Sequence, residues 1–163
     1  MAKIINVLKE EMPALTLVCK VYHDNDRGGN GTFSAKWGEW FEKGYFDQIE
    51  KCGTPYDGSY VGAMRMNGKE FEYCIGILMQ GAYKLPDGFD GVEIAACSMG
   101  VVWVKGKDDA TLYSMHEKSL EALAKNGMTP AENAWYIERY ACPRFTAPDE
   151  NGEVILDYMV TVG

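Results

Sequence analysis

Apolar and polar residues alternate along several segments of this chain, as they do in strands whose two faces meet different surroundings. The clearest case is the last segment, residues 153–162, in which one face is apolar and consists of Val154, Leu156, Tyr158, Val160 and Val162. The opposite face carries Asp157 between Ile155 and Met159. A carboxylate left unpaired in a dry site is costly, so Asp157 needs a partner. The sequence leaves two partners open, an arginine or lysine of the same protein or a cationic or polarised ligand.

Patterns in the first half of the chain predict one strand, one helix and a hairpin. The apolar segment 14–22 predicts a strand, and the polar, glycine-rich segment 23–31 predicts a loop that lacks the phosphate-binding GxxxxGK[ST] pattern. The spacing of Trp37, Trp40 and Phe41 predicts a helix over about residues 33–51 with one broad aromatic face. Strands over 59–66 and 70–79 flank Asn67-Gly68, a strong hairpin turn signal.

The second half repeats this order after a joint at about residues 80–91. Segment 92–105 predicts a strand pair broken near 98–100, or one long bent strand, and a helix is expected over about 110–125. Strands follow over 134–142 and 153–162. We therefore predict an α+β fold formed by a single domain of 163 residues. Two strand-helix-strand-strand modules, residues 1–80 and 92–163, are related by a pseudo-twofold, and their antiparallel sheet carries helices.

Composition narrows the class of function. The net charge of −8 argues against direct binding of nucleic acid, which requires a basic face. The N-terminus has no export signal and no apolar run is long enough to span a membrane, which predicts a cytoplasmic protein. The five cysteines are widely spaced without a CxxC pair, which predicts reduced thiols, no metal site and no cofactor.

Several stretches resemble the GyrI-like (gyrase-inhibitor-like) effector-binding family, the sensing half of AraC-type and MerR-type multidrug transcription regulators. SAKWGEWFEKGYF is similar to its first helix, YVGAMRMNGKEFEYCIGI to its first hairpin, and LPDGFDGVEIAACSMGVVWVKG to the joint and next strand. WYIERY is similar to its Glu-x-Tyr strand, and EVILDYMVTV to a terminal strand that usually reads Glu-Ile-x-Ile-Pro-Val. Asp157 stands where the family commonly has Glu, and Thr161 where it has Pro, which bears on ligand class more than on fold.

The resemblance implies a ligand cleft between the two modules, lined by aromatic residues with an acid at its floor. The candidate ligand-binding residues are Glu138, Tyr140, Asp157, Tyr136, Met159, Trp37, Trp40, Met64, Met66 and Trp103. Aromatic faces attract cations, methionine adapts to irregular shapes, and a carboxylate adds charge complementarity. Each of these side chains also has a structural alternative, as part of the core or of an internal ion pair.

Three functions follow from this set. The first is a stand-alone binding protein for amphipathic, cationic or planar lipophilic small molecules, a sensor or a sequestering, protective factor without a DNA-binding domain. The second is a hydrolase of reactive cyclopropane-bearing genotoxins, as in some family members, with Glu138 and Tyr140 as its catalytic residues. The third is a protein-interaction inhibitor of a DNA enzyme such as gyrase. We expect no membrane partner, and a monomer or a homodimer.

Overall fold

A computed structural model of the chain describes all 163 residues and shows an α+β fold of antiparallel strands and short helices. None of the helices has the length and apolar character needed to span a membrane. The strands and helices are β1 (Lys3–Met12), β2 (Leu15–Tyr22), α1 (Ser34–Glu42), α2 (Tyr45–Ile49), β3 (Gly53–Asn67), β4 (Glu70–Tyr83), β5 (Asp90–Ile94), β6 (Cys97–Gly106), α3 (Ala110–Tyr113), α4 (His116–Lys125), β7 (Tyr136–Tyr140) and β8 (Val154–Val162).

The chain divides into two compact units. The central unit consists of Ala14–Ala95, and the terminal unit consists of Met1–Pro13 together with Ala96–Gly163. In the central unit the strands lie in the order β3-β4-β2-β5, and every neighbouring pair is antiparallel. Its helices cover one face of this sheet, where Trp40, Phe46 and Ile49 pack with Val18 and Ile75 in an aromatic-rich core.

The terminal unit has the strand order β1-β6-β8-β7, again antiparallel throughout. Leu112 and Leu123 of its helices pack on Val102, Leu156 and Val160 of the sheet. Each unit therefore contains the predicted order of strand, helix, strand, strand, as β2-α1/α2-β3-β4 in one and β6-α3/α4-β7-β8 in the other.

The N-terminal segment differs from the sequence-based expectation, which included it in a module of about residues 1–80. It forms β1, which pairs with β6 from Lys3 opposite Lys105 to Met12 opposite Cys97. The segment KIINVLKEEM has no clean alternation, and its residues range from buried to exposed without a period of two. Its strand conformation is therefore decided by the edge of β6, which lies far away in sequence.

Both predicted helices are interrupted, and the break before β6 is displaced. Gly44 separates α1 from α2 with φ 65°, a left-handed conformation that glycine adopts without steric cost. The segment between Tyr113 and His116 likewise separates α3 from α4. Strands β5 and β6 are divided at residues 95–96 rather than at 98–100.

Candidate functional site

Strands β7 and β8 place the two predicted acids of the terminal unit, Glu138 and Asp157, on opposite faces of their sheet. Glu138 lies opposite Tyr158 of β8, on the helix-covered face, with Tyr136 and Tyr140 beside it on β7. Arg139, the next residue along the strand, lies opposite Asp157 on the other face. The alternation of the strands fixes this separation, so Glu138 and Asp157 belong to two different environments.

Glu138 is half-buried and has no arginine or lysine partner. Its Oε1 accepts a hydrogen bond of 3.3 Å from the hydroxyl of Tyr140. Burial raises the pKa of Glu138 to about 7, against an opposing, smaller effect of the Tyr140 hydrogen bond. A buried carboxyl without a nearby positive charge favours its protonated form, which is the physical cause of the raised pKa.

Tyr158 and His116 complete the surroundings of Glu138. The Tyr158 side chain is buried, and its hydroxyl forms a hydrogen bond with Nδ1 of His116, the first residue of α4. The His116 ring also packs on Tyr136, with 5.7 Å between ring centroids. Burial, with a smaller effect of the Glu138 charge, raises the pKa of Tyr158. We call Glu138, Tyr136, Tyr140, Tyr158 and His116 the Glu138 cluster.

On the opposite face of the sheet, Asp157 is paired inside the protein. Its carboxylate is fully buried and accepts hydrogen bonds from Arg139 Nε at 2.8 Å and from Arg144 Nη2 at 2.6 Å and Nε at 3.1 Å. Arg139 also donates two 3.0 Å hydrogen bonds to Glu10 of β1. Of the two partners that the sequence left open for Asp157, the structure supplies the arginines. Two carboxylates and two guanidinium groups balance the charge of this network.

Two other predicted residues, Trp103 and Met159, share the face of Asp157. Trp103 lies opposite Asp157 in the pairing of β6 with β8, and the Arg144 guanidinium carbon is 4.5 Å from the centroid of its ring. The Trp103 Nε1 atom is buried without a hydrogen-bond partner. Met159 is fully buried. These contacts are those of a packed interior around an ion-pair network.

The remaining predicted residues, Trp37, Trp40, Met64 and Met66, lie in the central unit. Trp40 is fully buried and its Nε1 donates to the Tyr22 hydroxyl at 2.9 Å, so it is part of the core. Trp37 is half-buried, and its Nε1 donates to the Tyr73 hydroxyl at 2.9 Å. Met64 packs half-buried on the same aromatic core.

Met66, in contrast, is 49% exposed. In this unit a surface depression of about 620 Å³ is lined by residues 23–25, 67 and 69–71, and none of the predicted site residues lines it.

Three members of the Glu138 cluster, Glu138, Tyr136 and Tyr140, were among the candidate residues of the sequence analysis, and they share one face of β7. The sequence analysis missed His116 and Tyr158 as members, since they are separated by 42 residues and no local spacing connects them. No group of three or more His, Cys, Asp and Glu side chains is placed to hold a metal ion. The five cysteines are free thiols.

Comparison with known proteins identifies relatives by structure alone. No protein-family model and no curated protein sequence matches this chain. The structure of SAV2435 bound to tetraphenylphosphonium is similar with a TM-score of 0.73 and 13% identity, covering 98% of this chain and 94% of that one.

Two further structures are similar over almost their whole length. A Staphylococcus aureus MU50 protein assigned to bacterial transcription regulation has a TM-score of 0.72 at 12% identity, covering 97% of this chain and 98% of that one. The C-terminal domain of EcmrR has a TM-score of 0.58 at 11% identity, covering 97% of both chains. At these identities the similarities establish the shared fold.

Proposed function

We propose that this protein is a GyrI-like small-molecule binding domain that takes lipophilic cations at the Glu138 cluster. The observation that carries the proposal is the Glu138 carboxylate, which is half-buried among tyrosines without an arginine or lysine partner. Asp157, the other candidate acid, already has two guanidinium partners. Of the two candidate acids, Glu138 is therefore the one that retains the capacity to pair with a cation from outside.

The groups around Glu138 suit a cation that carries apolar surface. Each aromatic face contributes about 0.5 to 2 kcal/mol to the binding of a cation at its centre. Tyrosine adds a large contact area and keeps a hydroxyl for a polar contact. SAV2435, which shares the fold, has been observed with tetraphenylphosphonium, a cation whose charge is enclosed by four phenyl rings. That relative supports the choice of ligand class.

Isothermal titration calorimetry with tetraphenylphosphonium at pH 8 tests the proposal. Wild-type protein should bind saturably, and Glu138→Gln should lower the affinity by about 10-fold to 100-fold, because one desolvated charge pair contributes on the order of 1 to 3 kcal/mol. Glu121→Gln, which removes an exposed acid of α4, is the matched control and should bind like wild type. Equal affinity of Glu138→Gln and wild type would exclude Glu138 as the cation-binding group.

For the biological role we propose a sensor or a sequestering, protective factor in the cytoplasm. The two roles predict a different dependence of cell protection on the amount of this protein. A sequestering protein protects growing cells from a toxic phosphonium in proportion to its amount, since each molecule removes one ligand. A sensor acts at far lower amounts through a partner, so protection that saturates at low expression would favour the sensor. Growth at graded expression levels, with Glu138→Gln as the inactive reference, separates the two.

Hydrolysis of a reactive ligand is a second candidate, and the raised pKa of Glu138 favours it. A carboxyl with a pKa of about 7 is suited to accept a proton from water near neutral pH, and the Tyr140 hydroxyl at 3.3 Å is placed to donate a hydrogen bond. Steady product formation from an electrophilic cyclopropane compound, lost in Glu138→Gln, would support hydrolysis. Binding without turnover would leave the protein as a binding domain.

A further inference from the structure

We propose that the Glu138 cluster exchanges a proton for its cation, so that occupancy of the site depends on pH. The inference rests on the proposed function of Glu138 and specifies how that site is regulated. It differs from simple charge pairing, in which a carboxylate is ionised before the ligand arrives.

The groups facing Glu138 include no arginine or lysine that would favour its ionised form. Tyr136 and Tyr140 flank it on β7, and Tyr158 faces it from β8. From α4 come His116, bound to Tyr158, and Glu117, whose charge acts on Tyr158. From the segment after β7, Phe145 packs on Tyr140 with 4.7 Å between ring centroids.

Burial therefore holds the pKa of Glu138 at about 7. Asp157 differs from Glu138 in this respect, because two arginines of the same unit pair with its carboxylate. Without ligand at neutral pH, Glu138 is therefore protonated in a large fraction of the molecules.

Arrival of a lipophilic cation changes this balance. The ligand brings the positive charge that the protein lacks, so the ionised carboxylate becomes the favoured form. The O–H bond of the Glu138 carboxyl breaks, the proton passes to the solvent, and the net charge of the site is unchanged. Below pH 7 the cation competes with the proton, and the affinity should fall by up to about tenfold per pH unit. Well above pH 7 the affinity should no longer depend on pH.

His116 is the basic side chain of the cluster, and its effect needs to be separated from that of Glu138. A protonated imidazole would repel a bound cation and would also weaken binding at low pH. In His116→Gln the amide group can form a hydrogen bond with the Tyr158 hydroxyl as either donor or acceptor. Proton release that persists in this variant belongs to Glu138, whereas release that disappears would assign the exchange to His116 and overturn the proposal.

Calorimetry in two buffers that both hold the chosen pH and differ in ionisation heat measures the protons released per ligand bound. With methyltriphenylphosphonium we expect about one proton near pH 6, about half near pH 7 and almost none near pH 8.5. Neutral triphenylphosphine oxide, which has the same three phenyl rings, should release none. Glu138→Gln should also release none with either compound.

The outcomes distinguish this inference from the proposed function. Phosphonium binding with the same heat in both buffers at every pH would overturn proton exchange and leave the binding function intact. Absence of phosphonium binding at any pH would overturn the function. Carbon-13 NMR titration of the glutamate carboxyl groups in the ligand-free protein, assigned with Glu138→Gln, gives an independent reading. A Glu138 signal that titrates below about pH 5.5, near the range of ordinary glutamates, would refute the inference without any ligand.

Discussion

Replacing Asp157 with Asn tests whether this buried acid stabilises the fold. Its carboxylate accepts three hydrogen bonds from Arg139 and Arg144 and is fully buried. The Arg139 side chain is only 6% exposed, so it cannot turn to water when its partner loses charge. Removing one partner of a buried ion pair costs about 3 to 5 kcal/mol, because the other charge remains buried.

The structure places the expected loss near the lower end of that range. Arg139 keeps two hydrogen bonds to Glu10, and the Arg144 side chain is 29% exposed and can regain water. The amide of Asn has the shape of the carboxylate and keeps one oxygen acceptor. We therefore expect Asp157→Asn to lower the free energy of unfolding by about 3 kcal/mol.

Urea denaturation at pH 7 measures this loss as a shift of the midpoint at constant slope. Asp24→Asn is the matched control, since Asp24 pairs with Arg27 at 3.1 Å with 72% and 35% of the two side chains exposed. An exposed pair of this kind contributes about 0 to 1 kcal/mol, so this variant should unfold almost like wild type. If Asp157→Asn were also within about 1 kcal/mol of wild type but bound phosphonium poorly, Asp157 would be a ligand contact and the structural reasoning would be wrong.

Three further predictions test the other contacts described above. The folded protein raises the pKa of Glu138 from its ordinary 4.5 to about 7, so wild type binds more protons than its unfolded chain and loses stability as pH rises between these values. Urea denaturation should therefore show that Glu138→Gln is as stable as wild type near pH 4.5. At pH 8, after allowance for solvent screening, the variant should be about 1 to 2 kcal/mol more stable than wild type. Equal stability of the two proteins at both pH values would contradict a raised pKa of Glu138. Gly76→Ala would place its Cβ 2.0 Å from the Val18 carbonyl oxygen and should lower the free energy of unfolding by about 3 kcal/mol or more. Gly38 in α1 has open space around it, so Gly38→Ala should be neutral or stabilising by up to about 1 kcal/mol. Thermal melts measure both effects. Tyr22→Phe leaves the buried Trp40 Nε1 without its 2.9 Å acceptor and should lower the free energy of unfolding by about 1 to 3 kcal/mol, and an unchanged denaturation midpoint would show that this hydrogen bond is dispensable.

Elements with a local residue pattern could be predicted from the amino-acid sequence alone. Alternation predicted β8 and its two faces, and the Asn67-Gly68 pair predicted the hairpin of β3 and β4. The aromatic spacing predicted helix α1, but of its three aromatic residues only Trp40 is buried, and Phe41 is 62% exposed. The side chains of Glu138 and its flanking tyrosines follow from the same rule, because residues two apart on a strand share a face. The α+β class and the repeated order of strand, helix, strand, strand required nothing beyond these patterns.

Contacts between residues that are distant in sequence depend on the three-dimensional fold. The conformation of β1 depends on pairing with β6, and the partners of Asp157 include Arg139, which is 18 residues away and also binds Glu10, 129 residues from it. His116 reaches Tyr158 across 42 residues. Such contacts depend on strand register and on the return of the chain after each loop, which a local pattern does not encode. For this reason the sequence predicted two acids on strands, and the fold showed that Asp157 is paired with arginines while Glu138 has no arginine or lysine partner.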